Sequence, residues 1–562
     1  MVDLYAKPFF LDETKAQWVK DTIDSMSLEE KIGQVFFAIG LSDDDQDVLD
    51  MEKSLHIGGI MYRPHDAEKL RVRNEKLQKQ AKIPLLIAAN LEAGGSGALT
   101  QGTPVGSQME VAATGKAENA YQLGAISARE AAAAGFNLAF APVCDIDYNW
   151  RSPITNTRTY GSDPETVLKM ASAYMDGAFD NHMAVSIKHF PGDGRDDRDQ
   201  HLVSSVNDLS CEDWDKTYGH IYKTLIEKGA QTVMAGHIMQ PEYSRRINPE
   251  IKDEEIMPAS CSKELINGLL RGKLGFNGVV LTDAANMIGY TAAMSRKNEI
   301  PATINAGIDM ILFGKNLQED IRYLTEAVDN GTVSMERLDE AVTRVLALKA
   351  SLDLPFKKEF VASDLCKSVN FSEDETIAEK IADESMTLVK DTQHLLPVTP
   401  EKYKRVWLFM AGDKPGFAGG TRAQDWVVEE LEKVGFDVTL YDREHPSLED
   451  TKVPMEEIRK KYDVIMYFSN IVNASYQVTA RIQWCGSVAE DGPDYAREVP
   501  TLFVSLGNPY GFVDVPMIRT IINCYNASPY TVQAAVDKIT GKSEFKGTSP
   551  VDPFCGKFGA GI

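Results

Sequence analysis

The chain has 562 residues, 43% of them apolar, and a formal net charge of −24. That length predicts two or three domains rather than one. The acidic balance argues against nucleic acid and anionic membrane surfaces as partners, because both need basic surface, and leaves room for a small anion in a local basic pocket.

In chain order, an amphipathic stretch over 15–26 reads as a helix. Ser27 then caps a second helix, with Glu30 three residues on in the capping-box pattern. Short apolar runs follow at 34–39, 57–62, 84–90, 138–146, 183–190, 232–238, 278–283 and 309–313, eight candidate strands. Helical patterns separate them at 43–55, 65–80, 117–134, 164–181, 212–227, 262–271 and 299–306. Strands alternating with helices in this way predict an α/β fold, a (β/α)8 barrel. Two further helices are expected at 317–329 and 334–352. Leu338, Val342, Val345, Leu346 and Leu348 form a core stripe on the second.

A second α/β unit follows a link at Leu354-Pro355-Phe356. A helix over 373–386 leads to strands at 405–410, 437–441, 463–468, 501–505 and 520–524. Helices are expected between or after them at 423–434, 455–461 and 530–538. This pattern predicts a smaller doubly wound sheet, an αβα sandwich. The expected division is a barrel over 1–353, a linker and connecting helix over 354–385, and the sandwich over 386–562. The Gly-rich stretch 411–420 lacks the spacing of a phosphate-binding loop and reads as surface. Seven scattered cysteines without a Cys-x-x-Cys predict reduced thiols. With no leader pattern and no run of about 18 apolar residues, the expected location is cytoplasmic.

The chemistry concentrates at predicted strand ends. Asn90 and Glu92 follow the third strand, Asp145 lies in the fourth, Lys188 and His189 end the fifth, His237 follows the sixth, and Asp283 ends the seventh. A barrel gathers these ends on one face, where barrel enzymes work. In Gly278-Val279-Val280-Leu281-Thr282-Asp283 an apolar strand runs straight into a carboxylate. Burying that charge idly is costly, so it is either a functional residue or a helix N-cap. After Lys188-His189-Phe190-Pro191-Gly192, the loop carries Asp199-Gln200-His201. A carboxylate beside an imidazole holds its tautomer and supports proton transfer; a solvated acidic loop is the other reading. His237 is either a pocket wall or a hydrogen-bonded core residue. No His-Glu-x-x-His or comparable spacing occurs, so no metal is expected, and no Gly-x-Ser-x-Gly suggests a serine hydrolase.

Lys188-His189-Phe190-Pro191-Gly192 followed by Asp199-x-His201 resembles the β-N-acetylglucosaminidases of glycoside hydrolase family 3. So do the opening 26–36 and the Thr282-Asp283 strand end. Residues 382–390 and 395–398 resemble the start of that family's sandwich domain. The resemblance implies a retaining exo-glycosidase with no cofactor, which removes a terminal β-linked N-acetylglucosamine from small saccharides such as cell-wall fragments. Asp283 matches the nucleophile, His201 the acid/base and Asp199 its orienting partner. Lys188, His189 and Arg158 match substrate-binding positions, Asn90 and Glu92 lie in a segment that resembles another, and His237 is counted with them as a candidate sugar contact. The match departs at Asn90, where the family has Asp, at an inserted Ala, at Ser96 in place of Arg, and at Asp193 in place of His. A neutral histidine repels an incoming anion less than a carboxylate does. Phosphate as acceptor therefore stands as an alternative, as do a β-glucosidase and a non-catalytic sugar-binding barrel.

Overall fold

The computed structural model describes residues 2–364, 369, 371–413, 422–472 and 475–558. Cys366 and most of the Gly-rich stretch, 414–420, lie outside them. Two compact units partition the chain: Met1–Pro104, Ala120–Ile146 and Pro164–Asp374 form the first, and Val105–Asn119, Asp147–Asp163 and Glu375–Ile562 the second. Segments 105–119 and 147–163, internal to the predicted barrel sequence, thus group with the C-terminal part.

The first unit is a parallel barrel. Its strands are β1 Phe36–Ile39, β2 Gly59–Met61, β3 Leu86–Ala89, β4 Leu138–Ala139, β5 Ala184–Phe190, β6 Thr232–Ala235, β7 Val279–Thr282 and β8 Ile311–Leu312. They run in the spatial order β8-β1-β2-β3-β4-β5-β6-β7. A parallel bridge between Leu281 and Met310 joins the two ends of that order. Nearly every strand residue is buried, which explains the continuous apolar runs: helices cover the outer face and side chains fill the inner one. All eight predicted strands are present. The fourth is shorter than expected because Pro142 lacks the N–H a ladder needs. Its path continues as single contacts, with Cys144 N–H donating to the Lys188 carbonyl at 2.7 Å.

The capping box forms as expected. Ser27 Oγ accepts from the Glu30 N–H at 3.2 Å, and Glu30 Oε2 accepts from the Ser27 N–H at 2.9 Å. The stripe on helix Met335–Ser351 is buried in the barrel core.

The second unit holds a six-stranded sheet: β9 Thr387–Asp391, β10 Arg405–Ala411, β11 Asp437–Leu440, β12 Val464–Ser469, β13 Thr501–Ser505 and β14 Thr520–Asn523. The order is β9-β14-β13-β12-β10-β11. All neighbours are parallel except β9, which pairs antiparallel to β14. Strand β9 escaped the sequence pattern because it follows a helix without a break, and its side chains are only partly buried. One sheet face packs aliphatic residues against helices Ala423–Lys433 and Pro529–Thr540. The other carries stacked aromatics, Trp407 on Tyr462 and Phe409 on Tyr467. The six described cysteines are all unpaired. No helix among the described residues is long and apolar enough to cross a membrane.

Candidate active site

Asp283 stands one residue beyond β7, its N–H donating to the Ala235 carbonyl at 2.8 Å. The next helical turn begins only at Ile288, so Asp283 caps no helix. Its Oδ1 accepts from the Ala284 N–H at 2.7 Å, and Oδ2 faces His189 Nε2 at 3.9 Å. Burial pushes this carboxyl up, yet the fields of His189, His237 and His201 outweigh it and leave Asp283 at about 2. Asp283 is therefore an anion at neutral pH.

His189 ends a chain of fixed groups. Asp145 Oδ2 holds its Nδ1 at 2.6 Å, and Asp145 Oδ1 accepts from the backbone N–H of His189 at 3.1 Å and of Asp193 at 2.7 Å. With Nδ1 committed to Asp145, Nε2 is the atom presented to Asp283. Asp145 thus aims the ring and anchors the following loop together.

That loop is clamped along its length. Trp214 Nε1 donates to the Pro191 carbonyl at 2.8 Å, and Asn207 Nδ2 to the Gly192 carbonyl at 3.0 Å. Gly192 has φ +114°, and a Cβ there would lie 2.1 Å from the Tyr218 ring, so no other residue fits. Asp193, read from sequence as a loop residue, is buried. Its Oδ2 accepts from Gln200 Nε2 at 3.2 Å, and its Oδ1 from the Gly194 N–H at 2.8 Å.

The loop delivers the dyad. Asp199 is buried, and its Oδ1 accepts from His201 Nδ1 at 2.7 Å and from the His201 N–H at 2.9 Å. The ring is thereby held by its Nδ1, and the His201 side chain keeps 18% exposure. An imidazole whose Nδ1 is fixed on a carboxylate suits a group that must both give and take a proton. The Ile288 N–H donates to the His201 carbonyl at 2.9 Å, which ties the dyad to the segment following Asp283.

His237 is fully buried. Its Nε2 meets the Ala284 carbonyl at 3.0 Å and its Nδ1 meets Ser260 Oγ at 2.9 Å. A carbonyl only accepts, so Nε2 carries the proton and Nδ1 accepts from the serine. Burial lowers this histidine to about 4. Both ring nitrogens of His237 are spent inside the protein, so the expected sugar contact has no ring atom to make it. His237 instead joins the two catalytic candidates: its N–H donates to Gln200 Oε1 at 2.8 Å and its carbonyl accepts from the Ser205 N–H at 3.1 Å.

Beside β3, Lys188 Nζ lies 2.6 Å from Glu92 Oε1 and donates to Asn90 Oδ1 at 3.3 Å. Lys188 is buried and Asn90 exposed. The trio offers an ammonium, a carboxylate and an amide, groups suited to fixing sugar hydroxyls. Asn90 in place of Asp removes one anion from the pairing with Lys188. Arg158 belongs to the second unit, where its Nη1 donates to the Ile154 carbonyl at 3.4 Å. Its loop is held there by Asp147, which accepts from Thr155 Oγ1 at 3.0 Å and from Tyr510 at 2.5 Å.

The structure thus brings Asn90, Glu92, Lys188, His189, Asp199, His201 and Asp283 into the barrel unit on strand ends and one loop. Sequence reasoning missed the structural duties of Asp193 and Gln200. Their only signal was polarity within a Gly-rich loop. Among the described residues, no group of three His, Cys, Asp or Glu is placed to hold a metal ion.

A barrel with an ionised carboxylate at one strand end and a carboxylate–imidazole dyad on the loop after another has the groups for nucleophilic and acid–base chemistry. Residues 27–348 match the model of the glycosyl hydrolase family 3 N terminal domain. The chain belongs to glycosyl hydrolase family 3. It is 41% identical over 561 residues to a beta-N-acetylglucosaminidase/beta-glucosidase of Cellulomonas fimi, covering 99% of both chains. A solved structure of beta-glucoside phosphorylase BglX bound to 2FGlc is similar at TM-score 0.94 and 45% identity, again over 99% of both chains. A family 3 beta-N-acetylglucosaminidase from Paenibacillus sp. str. FPU-7 aligns at TM-score 0.79 and 25% identity, over 94% of this chain and 99% of that one.

Proposed function

We propose that this family 3 enzyme removes a terminal β-linked N-acetylglucosamine from small saccharides by two displacements. Asp283 attacks the anomeric carbon while His201 Nε2 protonates the leaving oxygen. A covalent glycosyl–Asp283 ester results, and the aglycone departs. His201, now neutral, takes a proton from the incoming acceptor, which displaces Asp283 and regenerates both groups. Asp199 holds the imidazole through both steps and stabilises its charged form. The observation that carries this reading is the Asp199–His201 pair in the same unit as an ionised Asp283. The names of the Cellulomonas fimi and Paenibacillus relatives support the N-acetyl sugar. The reading draws on first-unit residues alone and does not use Arg158.

A second reading concerns the acceptor. Phosphate in place of water would release a sugar phosphate. Two observations favour it: the acid/base is an imidazole, which when neutral does not repel a phosphate anion as a carboxylate would, and the similar BglX structure is described as a phosphorylase.

The test is turnover of paired aryl β-glycosides, N-acetylglucosaminide against glucoside, each with and without phosphate. Faster turnover of the N-acetyl sugar supports the proposal. Sugar phosphate as product assigns the acceptor. Incubation with a 2-deoxy-2-fluoro glycoside followed by peptide mass spectrometry reads the nucleophile. A label on any residue but Asp283, or unchanged turnover in Asp283→Ala, overturns the mechanism.

A further inference from the structure

Glu130 lies in the alanine-rich run of helix Ala117–Ala133 and has no exposed surface. Its Oε2 accepts from the Thr103 N–H at 2.8 Å and its Oε1 from Thr103 Oγ1 at 2.6 Å. Gly95 presses against the same carboxyl, since a Cβ there would lie 1.8 Å from Glu130 Oε2. Thr103 and Gly95 are the two sides of one closed loop. Gly94 bridges Pro104 antiparallel, and the Ser96 N–H reaches the Thr103 carbonyl at 3.4 Å. A Cβ on Gly97 would meet the Asn90 carbonyl at 2.0 Å, so the loop lies flush against the backbone of Asn90. Residues 90–92 in turn place Asn90 and Glu92 on Lys188.

Behind Glu130 stands a second buried acid. Asp374, in helix Phe371–Ser385, is in hydrogen-bond contact with the Glu130 carboxyl. Its Oδ1 is taken by Arg129, while Oδ2 has no ordinary donor. A carboxyl–carboxyl bond needs one proton between the two groups, since two adjacent carboxylates repel. Burial raises Glu130 to about 7 and raises Asp374 as well, against the pull of Thr103 on the first and of Arg129 on the second. The charged groups facing the pair are Arg129 from the same helix and Glu373 beside Asp374. Segment 94–104 itself contains no titratable residue.

We propose that Glu130 is a positioning residue for sugar recognition: its carboxyl, bonded to Asp374 through one shared proton, pins the stem of the 94–104 loop at Thr103 and so fixes Asn90 and Glu92 against Lys188. Glu130 touches no substrate. It acts through the loop, so its loss is felt in sugar affinity more than in the chemical step. Loss of the shared proton at alkaline pH sets Glu130 and Asp374 in repulsion and loosens the loop. The inference rests on Asn90, Glu92 and Lys188 being sugar contacts.

Steady-state kinetics on an aryl N-acetylglucosaminide test it, with Thr103→Val, Glu130→Ala, Glu130→Gln and Lys188→Ala beside the wild type. Thr103→Val deletes one hydrogen bond at constant shape, and KM is expected to rise about fivefold with kcat changing less. Glu130→Ala is expected to raise KM about tenfold or more. Glu130→Gln recovers most of that loss, because its amide N–H replaces the shared proton and its carbonyl still accepts from Thr103. It is also expected to remove the rise of KM above neutral pH that the shared proton predicts for the wild type. Unchanged KM in both Thr103→Val and Glu130→Ala, while Lys188→Ala raises it, overturns the positioning role alone. Glu130→Gln no better than Glu130→Ala overturns the shared proton. An unchanged KM in Lys188→Ala sinks the sugar-site reading and the inference with it. If Glu130→Ala does not fold, Thr103→Val and Glu130→Gln still decide.

Discussion

Asp283 and Glu130 are both carboxyls of the barrel unit, and their proton affinities are displaced in opposite directions. Asp283 has His189 Nε2 at 3.9 Å and sits at about 2. Glu130 has another acid as neighbour and sits at about 7. Burial pushes both upward. What differs is the neighbour: histidines lower Asp283, whereas a second acid helps to raise Glu130. Each state depends on one prior arrangement: Asp145 aims the histidine at Asp283, and helix Phe371–Ser385 brings Asp374 to Glu130.

The largest expected effect is at the charged member. Asp283→Asn keeps the shape and removes the anion, and turnover should fall by about 10⁴-fold or more. A far smaller loss would mean that the nucleophile lies elsewhere. Next comes the dyad that serves it. His201→Ala is expected to cost about 10²–10⁴-fold. The loss should be greater for a poor leaving group than for an activated aryl group, which needs little protonation. Equal losses on both substrates would remove His201 from the acid role.

A third experiment attacks the origin of the contrast. Without His189, Asp283 loses the largest of the influences that lower it while its burial remains. In His189→Gln the Asp283 carboxyl should rise, and the acidic limb of kcat/KM should move upward by about one pH unit. An unmoved limb would mean that His189 does not set the charge of Asp283.

The smallest effect is on stability, and its sign differs between the two acids. Asp283 is depressed from 3.8 to about 2, so its contribution is present above pH 4 and is lost as pH falls through 4 toward 2. Glu130 is raised from 4.5 to about 7, so the folded state binds the extra proton between these values. Its contribution is full below pH 4.5 and declines as pH rises toward 7. Glu130→Gln should flatten that decline by about 2 kcal/mol in urea unfolding across this window. Asp283→Asn should leave it intact and flatten the profile below pH 4. Identical profiles for the two variants would erase the distinction drawn between these carboxyls.

Much of this arrangement was legible in the one-dimensional chain because its signals are local. Eight buried runs alternating with helices point to a parallel sheet covered on both faces, since such a strand reads as unbroken apolar sequence, and eight of them fit a closed barrel. The capping box at Ser27 and Glu30 needs only four residues, and the Asp199–His201 bond only three. Asp283 was visible because a charge directly after Val279-Val280-Leu281-Thr282 has few idle explanations. The antiparallel strand β9 was hidden, because edge pairing is set by the partner strand rather than by its own pattern.

Only the tertiary structure decided the matters that depend on distant partners. His237 stood undecided between wall and core until Ser260 and the Ala284 carbonyl, contributed by other segments, took both ring nitrogens. Glu130 in its alanine-rich run gives no local sign of a role, since Thr103 and Asp374 lie 27 and 244 residues away along the chain. Segments 105–119 and 147–163 group with the second unit although the sequence places them among barrel elements. The physical reason is common to all three: hydrophobic periodicity records which face of an element is buried, whereas the charge and bonding of a buried polar group are set by whatever the fold brings next to it.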